Sequence, residues 1–172
     1  MTGGSGFIGR HIVDELAEKA HDVRVFDLKK PHRDDIEWVK GDILDRDEVM
    51  GACRNVEYVF HLAAVSDVNV ALAKPELCVQ VNEVGTLNVL QAAQALEIER
   101  LVLASTTWVY GRTDEVVTEE TTVPPPDHLY TATKAGQEHL VVSWNRHYGL
   151  PYTILRYDIP YGPGMRSNMA LA

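Results

Sequence analysis

The chain is poor in cysteine: Cys53 and Cys78 are the only two in 172 residues, and both lie in apolar surroundings. A disulfide scaffold is thereby excluded, and two reduced, structural thiols are expected, as suits a cytoplasmic protein. Basic residues are scarce too. Sixteen Lys and Arg stand against twenty-five Asp and Glu, a net charge of −9. Nucleic acid needs a basic patch and is excluded as a partner. No apolar run reaches the ~20 residues of a membrane span, and no signal-peptide pattern is present, so no membrane partner is expected. The seven histidines are scattered, with no H-x-x-x-H and no Cys/His cluster, so no metal site is expected. Internal repeats, low-complexity tracts and linkers are missing as well.

What remains is an ordinary globular composition, 45% hydrophobic and 24% charged, over one domain's worth of chain. Its most informative stretch is Thr2-Gly3-Gly4-Ser5-Gly6-Phe7-Ile8-Gly9. Glycines at 3, 6 and 9 lead into apolar residues at helical spacing: Ile12, Val13, Leu16, Ala17 and Ala20. Such a turn collects backbone N–H groups and the positive end of a helix at one point, an anion site suited to a pyrophosphate. Val23 to Asp27 reads as a short strand ending in an acid, eighteen residues after Gly9. A carboxylate there accepts hydrogen bonds from an adenosine ribose and repels a 2′-phosphate, which favours NAD. Lys29 and Lys30 beside it keep NADP open, and Asp27 could equally be the first residue of a polar loop.

Strand and helix signals then alternate. Ile36–Lys40 reads as a strand, and Asp45–Cys53 as a short helix capped by Asp45. Val56–Ala64 reads as a strand buried on both faces, and a long helix runs from Pro75 to about Leu96. Leu101–Ser105 is another buried strand, followed by a helix over His128–Tyr148 and a last strand, Tyr152–Tyr157. Alternation of this kind predicts an α/β fold, a doubly wound parallel sheet of Rossmann type covered on both sides. Ligands bind such sheets beyond the carboxyl ends of the strands. The glycine loop, Asp27, Asp42, His61–Ala64 and Ser105–Thr107 all fall there. Only Met1 precedes Thr2, where a central first strand is expected; without it two neighbours would stand unpaired over an open core, unless the chain is a fragment, residues upstream are lost or the fold compensates.

Tyr130 and Lys134 are four residues apart, hence on one side of their helix. An ammonium near a phenol favours the phenolate, which can take a proton from an alcohol and return it to a ketone. Thr106, at the end of the preceding strand, offers a hydroxyl to hold the same substrate oxygen.

These segments together resemble the extended short-chain dehydrogenase/reductases of the NAD-dependent sugar-nucleotide epimerase/dehydratase family, in particular their UDP-glucose 4-epimerase-like members. Thr2–Gly9 is similar to the family's T-G-G-x-G-F-I-G, Gly41-Asp42-Ile43 to its G-D-I/L, and His61–Ala64 to its H-L-A-A. Val81-Asn82 with Gly85–Asn88 resembles V-N-x-x-G-T-x-N, and Val109-Tyr110-Gly111 resembles V-Y-G. Tyr130–Lys134 resembles Y-x-x-x-K, and Arg156–Gly164 resembles R-Y/P-x-x-x-Y-G-P-G. The series covers essentially the whole chain, in order.

The resemblance implies that Gly3, Gly6, Phe7, Ile8, Asp27, Asp42, Ile43, Leu62, Ala63, Ala64 and Lys134 contact NAD. It implies Tyr130 as catalytic base and Thr106 as the hydroxyl that orients the sugar. Asn82 falls where the family has a helix asparagine beside the cofactor; its other reading is a polar residue on a partly exposed helix. Family dehydratases carry an Asp-Glu pair after the threonine, where this chain has Thr107 and Trp108, which disfavours dehydration. Ile159 stands where the family often has an asparagine at the sugar-nucleotide phosphates. The implied activity is 4-epimerisation of a nucleoside-diphosphate sugar, by hydride removal to NAD and return through a keto-sugar. The alternatives are a reductase or dehydrogenase of the same family, a non-catalytic dinucleotide binder, and an inactive fragment. Residues 1–157 are expected to form the NAD-binding domain and 158–172 to begin a truncated substrate region. A homodimer is expected through the helices near Leu77–Leu96 and His128–Tyr148.

Overall fold

The computed structural model describes residues 1–165. Five parallel strands form the sheet. β1 (Arg24–Asp27) pairs with β2 (Glu37–Lys40), and β4 (Arg100–Thr106) lies between β3 (Tyr58–His61) and β5 (Tyr152–Tyr157). The two groups meet at Thr2, which forms parallel bridges to both Phe26 and His61. The order β2–β1–Thr2–β3–β4–β5 is that of a doubly wound sheet reversing at its centre.

The expectation of two unpaired central strands is corrected only in part: Met1 and Thr2 pair with β1 and with the end of β3, but isolated bridges at Thr2 alone join the two groups. Thr2 N–H donates to Phe60 O (2.9 Å) and Leu62 N–H to Thr2 O (3.1 Å), while Phe26 N–H donates to Met1 O (2.8 Å). Two residues therefore do the work of the strand's last turn of pleat. At the far end a narrow cleft remains, bounded by Met1, Arg24, Val49, Cys53, Tyr58 and Val59. The α-ammonium lies buried beside it and donates to Arg24 O at 2.7 Å. Burial pushes its pKa down to about 6.

The helices are α1 (Phe7–Glu18), α2 (Arg46–Ala52), α3 (Val68–Ala73), α4 (Pro75–Val79), α5 (Gly85–Ala95) and α6 (Leu129–Tyr148). Asp45 caps α2 by accepting from Asp47 N–H and Glu48 N–H, as its position suggests. The long helix expected from Pro75 is instead α4 and α5 joined by a π-helical turn over Gln80–Val84. Two short elements carried no sequence signal: α3, capped by Asp67, and a 3₁₀ turn over Thr107–Tyr110. His128 is the cap of α6 rather than its first residue.

The main core lies between the sheet and α5. Val89, Leu90, Ala92 and Ala93 of α5 pack with Val59, Leu101, Leu103, Val141 and Ile43, all buried. β3 is not buried on both faces as expected: Tyr58 is half exposed and Phe60 only partly covered. On that side Phe60 and Tyr157 share an apolar groove of about 840 Å³ with Phe7, Ile8, Ile12 and Leu16 of α1. One helix does not cover what the sequence pattern leaves apolar.

Candidate active site

The glycine loop takes its shape from contacts that side chains would prevent. Gly3 has φ +71°, and a Cβ there would sit 2.5 Å from Ala63 N. A Cβ on Gly9 would run into the backbone of Gly3 and Gly4. The loop is thus pressed between α1 and the turn after β3. Gly6 caps α1 with no side-chain bond, so the first-turn N–H groups stay available to an anion. This backbone cradle fits a dinucleotide pyrophosphate.

Asp27 ends β1 facing the loop. Its carboxylate accepts from Ser5 N–H (3.1 Å) and Lys29 N–H (3.0 Å), one bond per oxygen, which leaves lone pairs for two vicinal hydroxyls. Of the cations nearby, Lys29 is exposed and makes no ion pair among the described residues, while two others are paired. Lys30 pairs with Asp34 (2.6 Å), and Arg33 pairs with Asp35 (2.6 Å) and Asp14 (3.4 Å). The Asp27 carboxylate itself repels a 2′-phosphate, which favours NAD.

Asp42 closes its own turn by accepting from Leu44 N–H at 3.0 Å. Ile43 packs its side chain into the core against Gly85, so only its backbone is left to face a cofactor. Leu62 and Ala63 are held to Thr2 by their N–H groups, and Ala64 follows in the same half-buried turn.

Of the two readings of Asn82, the partly exposed polar residue is overturned. Asn82 is fully buried in the π-helical turn. Its amide accepts from Val65 N–H (2.7 Å) and donates to Val65 O (3.1 Å) and Thr133 Oγ1 (2.8 Å). Asn82 therefore ties the turn after β3 to α6.

On α6, Lys134 is 4% exposed and donates through Nζ to Ala104 O of β4 at 3.0 Å. Burial pushes its pKa down to about 8. From the sequence, the Lys134 charge is expected to favour the Tyr130 phenolate. The structure differs: burial, with the Cys78 thiol a smaller cause, pushes the phenol up to about 12. Lys134 spends its hydrogen bond on the strand, and desolvation dominates at Tyr130.

Thr106 ends β4, 7% exposed, and its Oγ1 accepts from Trp108 N–H at 3.2 Å, starting the 3₁₀ turn. Its own hydroxyl proton remains free to donate. Trp108 stands edge-on to Tyr130, ring centroids 6.4 Å apart, and His128 stacks on the same ring at 6.1 Å. Neither Thr107 nor Trp108 carries a carboxylate, although Thr107 donates to Asp158 Oδ1 at 3.3 Å.

Several residues of the site's framework carried no role in the sequence reading. Glu138, one turn beyond Lys134, accepts from Ser105 Oγ (2.5 Å) and from Arg156 Nε (3.0 Å) and Nη2 (2.7 Å). Arg156 also donates to Tyr110 Oη and lies 4.7 Å over its ring. Glu138 follows Lys134 by four residues, and Tyr110 and Arg156 sit in the quoted V-Y-G and R-Y segments. Position was legible there; the pairing was not.

The NAD dependent epimerase/dehydratase family matches residues 1–171, and the chain belongs to it. It is 35% identical over 164 residues to the UDP-glucose 4-epimerase of Rhizobium meliloti, covering 91% of this chain and 50% of that protein. Over 181 residues it is 33% identical to the UDP-N-acetyl-alpha-D-glucosaminuronate decarboxylase of Bacillus cytotoxicus, covering 95% and 54%. The crystal structure of Thermus thermophilus UDP-glucose 4-epimerase in complex with NAD superposes with a TM-score of 0.89 at 37% identity, covering 96% of this chain and 56% of that one. The chain spans about half the length of these relatives. The family is NAD-dependent, and the matched relatives differ in reaction, epimerases beside a decarboxylase.

Proposed function

We propose that this chain carries the NAD site and the proton-transfer pair of a 4-epimerase acting on a nucleoside-diphosphate sugar. The observation that carries the reading is local. Lys134 of α6 donates to Ala104 O of β4, two residues before Thr106, and Trp108 lies edge-on to Tyr130 at 6.4 Å, while Thr107 and Trp108 carry no carboxylate for dehydration. Bound NAD supplies the hydride acceptor and donor that converts the sugar's secondary alcohol to a ketone and back.

Tyr130 takes the hydroxyl proton and gives it back. Its raised pKa suits the return, since a phenol near 12 is the stable form at neutral pH. Removal needs a nearby cation, and Lys134 is the buried one on the same helix face. Thr106 holds the sugar oxygen against Tyr130 through its free proton. Asp27 takes the adenosine ribose hydroxyls, and the amides of the loop at Gly3, Gly6, Phe7 and Ile8 take the pyrophosphate. We further read the protein as cytoplasmic and as a homodimer through α4–α5 and α6, where Leu77, Val79 and Val84 are exposed apolar residues. No helix among the described residues is long and apolar enough to cross a membrane.

The test is incubation with UDP-glucose and, separately, UDP-galactose, following sugar identity by chromatography and NADH by absorbance. Interconversion with no net NADH supports the epimerase. Steady NADH production means a dehydrogenase, and NAD binding without turnover means a dinucleotide binder.

A further inference from the structure

His61 is fully buried at the end of β3, among groups that each have one hydrogen-bonding choice left. Thr86 Oγ1 donates to Asn82 O at 2.5 Å, so its proton is spent, and Gln137 Nε2 donates to Thr86 Oγ1. His61 Nε2, 2.9 Å from Thr86 Oγ1, must then be the donor of that pair. With the proton on Nε2, Nδ1 is a bare acceptor, and the hydroxyl of Thr2 donates to it at 2.7 Å. Thr2 Oγ1 in turn accepts from Ala63 N–H at 3.3 Å. One directed chain runs from Ala63 through Thr2, His61 and Thr86 into the π-helical turn, with α6 joining through Gln137.

A packing role would not need an imidazole here. A buried polar ring costs free energy unless its bonds are made, and an apolar ring would fill the volume without that cost. The bonds it makes join the glycine loop to the framework that carries Tyr130 and Lys134. Thr2 is the residue immediately before Gly3, and Ala63 is the residue against which Gly3 closes.

We propose that His61 is a positioning residue for the dinucleotide site: as a neutral imidazole bearing its proton on Nε2, it latches the glycine loop to the turn after β3 and to the π-helical turn and α6. The proposal rests on the NAD reading above for its effect on affinity, but the latch itself is independent of it.

The two ring nitrogens allow a test that separates positioning from bulk stability. In His61→Asn an amide oxygen stands near the place of Nδ1 and keeps the Thr2 bond; in His61→Gln the amide reaches the place of Nε2 and keeps only the Thr86 bond. His61→Phe keeps neither, and Leu103→Ala in β4 serves as a control that loosens the core elsewhere. NAD affinity is measured by calorimetry, Tm by thermal unfolding, and exchange of the Leu62 and Ala63 amides by hydrogen–deuterium NMR. We expect His61→Phe and His61→Gln to bind NAD about tenfold more weakly, a change worth about 1.4 kcal/mol. Their Ala63 amide should exchange faster, while His61→Asn, which keeps the Thr2 bond but gives up Thr86, should protect that amide as the parent does and lose less affinity than His61→Phe. Unchanged affinity in His61→Phe would overturn the proposal, and so would an equal loss in Leu103→Ala at matched Tm. If the parent chain binds no NAD, the cofactor reading of this chain fails on its own account. The exchange rates still decide the latch, and an unaltered Ala63 amide in His61→Phe would refute it.

Discussion

Replacing Glu138 by Ala tests how firmly α6 is set against the sheet. The carboxylate side chain is 8% exposed and carries three charge-assisted bonds, two of them a bidentate pair with an Arg156 side chain that is 21% exposed. Removing it leaves a largely buried guanidinium with only Tyr110 as partner, its pKa no longer held well above the usual arginine value by a carboxylate. Breaking a buried pair costs about 3–5 kcal/mol, and Arg156's remaining contact with water argues for the lower end. The Ser105 hydroxyl, 5% exposed, also loses its acceptor, which adds about 1 kcal/mol. The expected loss is about 4 kcal/mol, or roughly 10 °C in Tm for a chain of this size. Thermal and urea unfolding followed by circular dichroism measure it. The double variant with Arg156→Met should recover more than half of the loss, because it removes the stranded charge. A loss under about 1 kcal/mol, the value of an exposed ion pair, would refute the argument. The network would then be solvated and could not be what holds Tyr130 and Lys134 in place.

Tyr130→Phe should leave NAD binding unchanged and cut turnover of the sugar nucleotide by at least about 10²-fold, the usual worth of a general acid–base group; unchanged turnover removes Tyr130 from the proton path. Gly3→Ala should abolish NAD binding measured by calorimetry, because the new methyl meets Ala63 N at a backbone angle only glycine holds comfortably. Binding within a few-fold of the parent would show that the loop has room. Stability should also fall with acid through His61, whose folded pKa of about 3 lies below the ordinary 6.5 because burial disfavours the cation. The unfolded chain takes the proton first, so the loss begins near pH 6.5 and continues down to about 3, reaching roughly 3 kcal/mol by pH 4. Urea midpoints across that range should show a steeper decline for the parent than for His61→Asn; parallel curves would contradict a neutral buried ring. Asp27→Ala should weaken NAD about tenfold, by loss of its ribose bonds, with less effect on NADP; equal losses for both would mean the carboxylate serves only Ser5 and Lys29.

The sequence by itself determined the order of the elements and the positions that close on one another. Glycines at 3, 6 and 9, an acid at the end of β1, and a tyrosine and lysine four apart are local facts, and helix and strand geometry turns them into a turn, an edge and a face. Family membership was legible in the same way, through a series of short segments in order. Tertiary structure alone decided the rest, because it depends on groups distant in the chain. That two residues, Met1 and Thr2, bridge β1 to β3 requires both strands to be in place first. That Asn82 is buried rather than surface polar requires Val65 and Thr133 to arrive beside a π-helical turn. The Tyr130 phenol, which the neighbouring lysine should favour as the anion, is pushed the other way because desolvation by the whole fold outweighs one charge that is hydrogen-bonded elsewhere. The proton on His61 follows the same rule: which nitrogen carries it is set by Thr2 and Thr86, 59 and 25 residues away, and by nothing in its own neighbourhood of the chain.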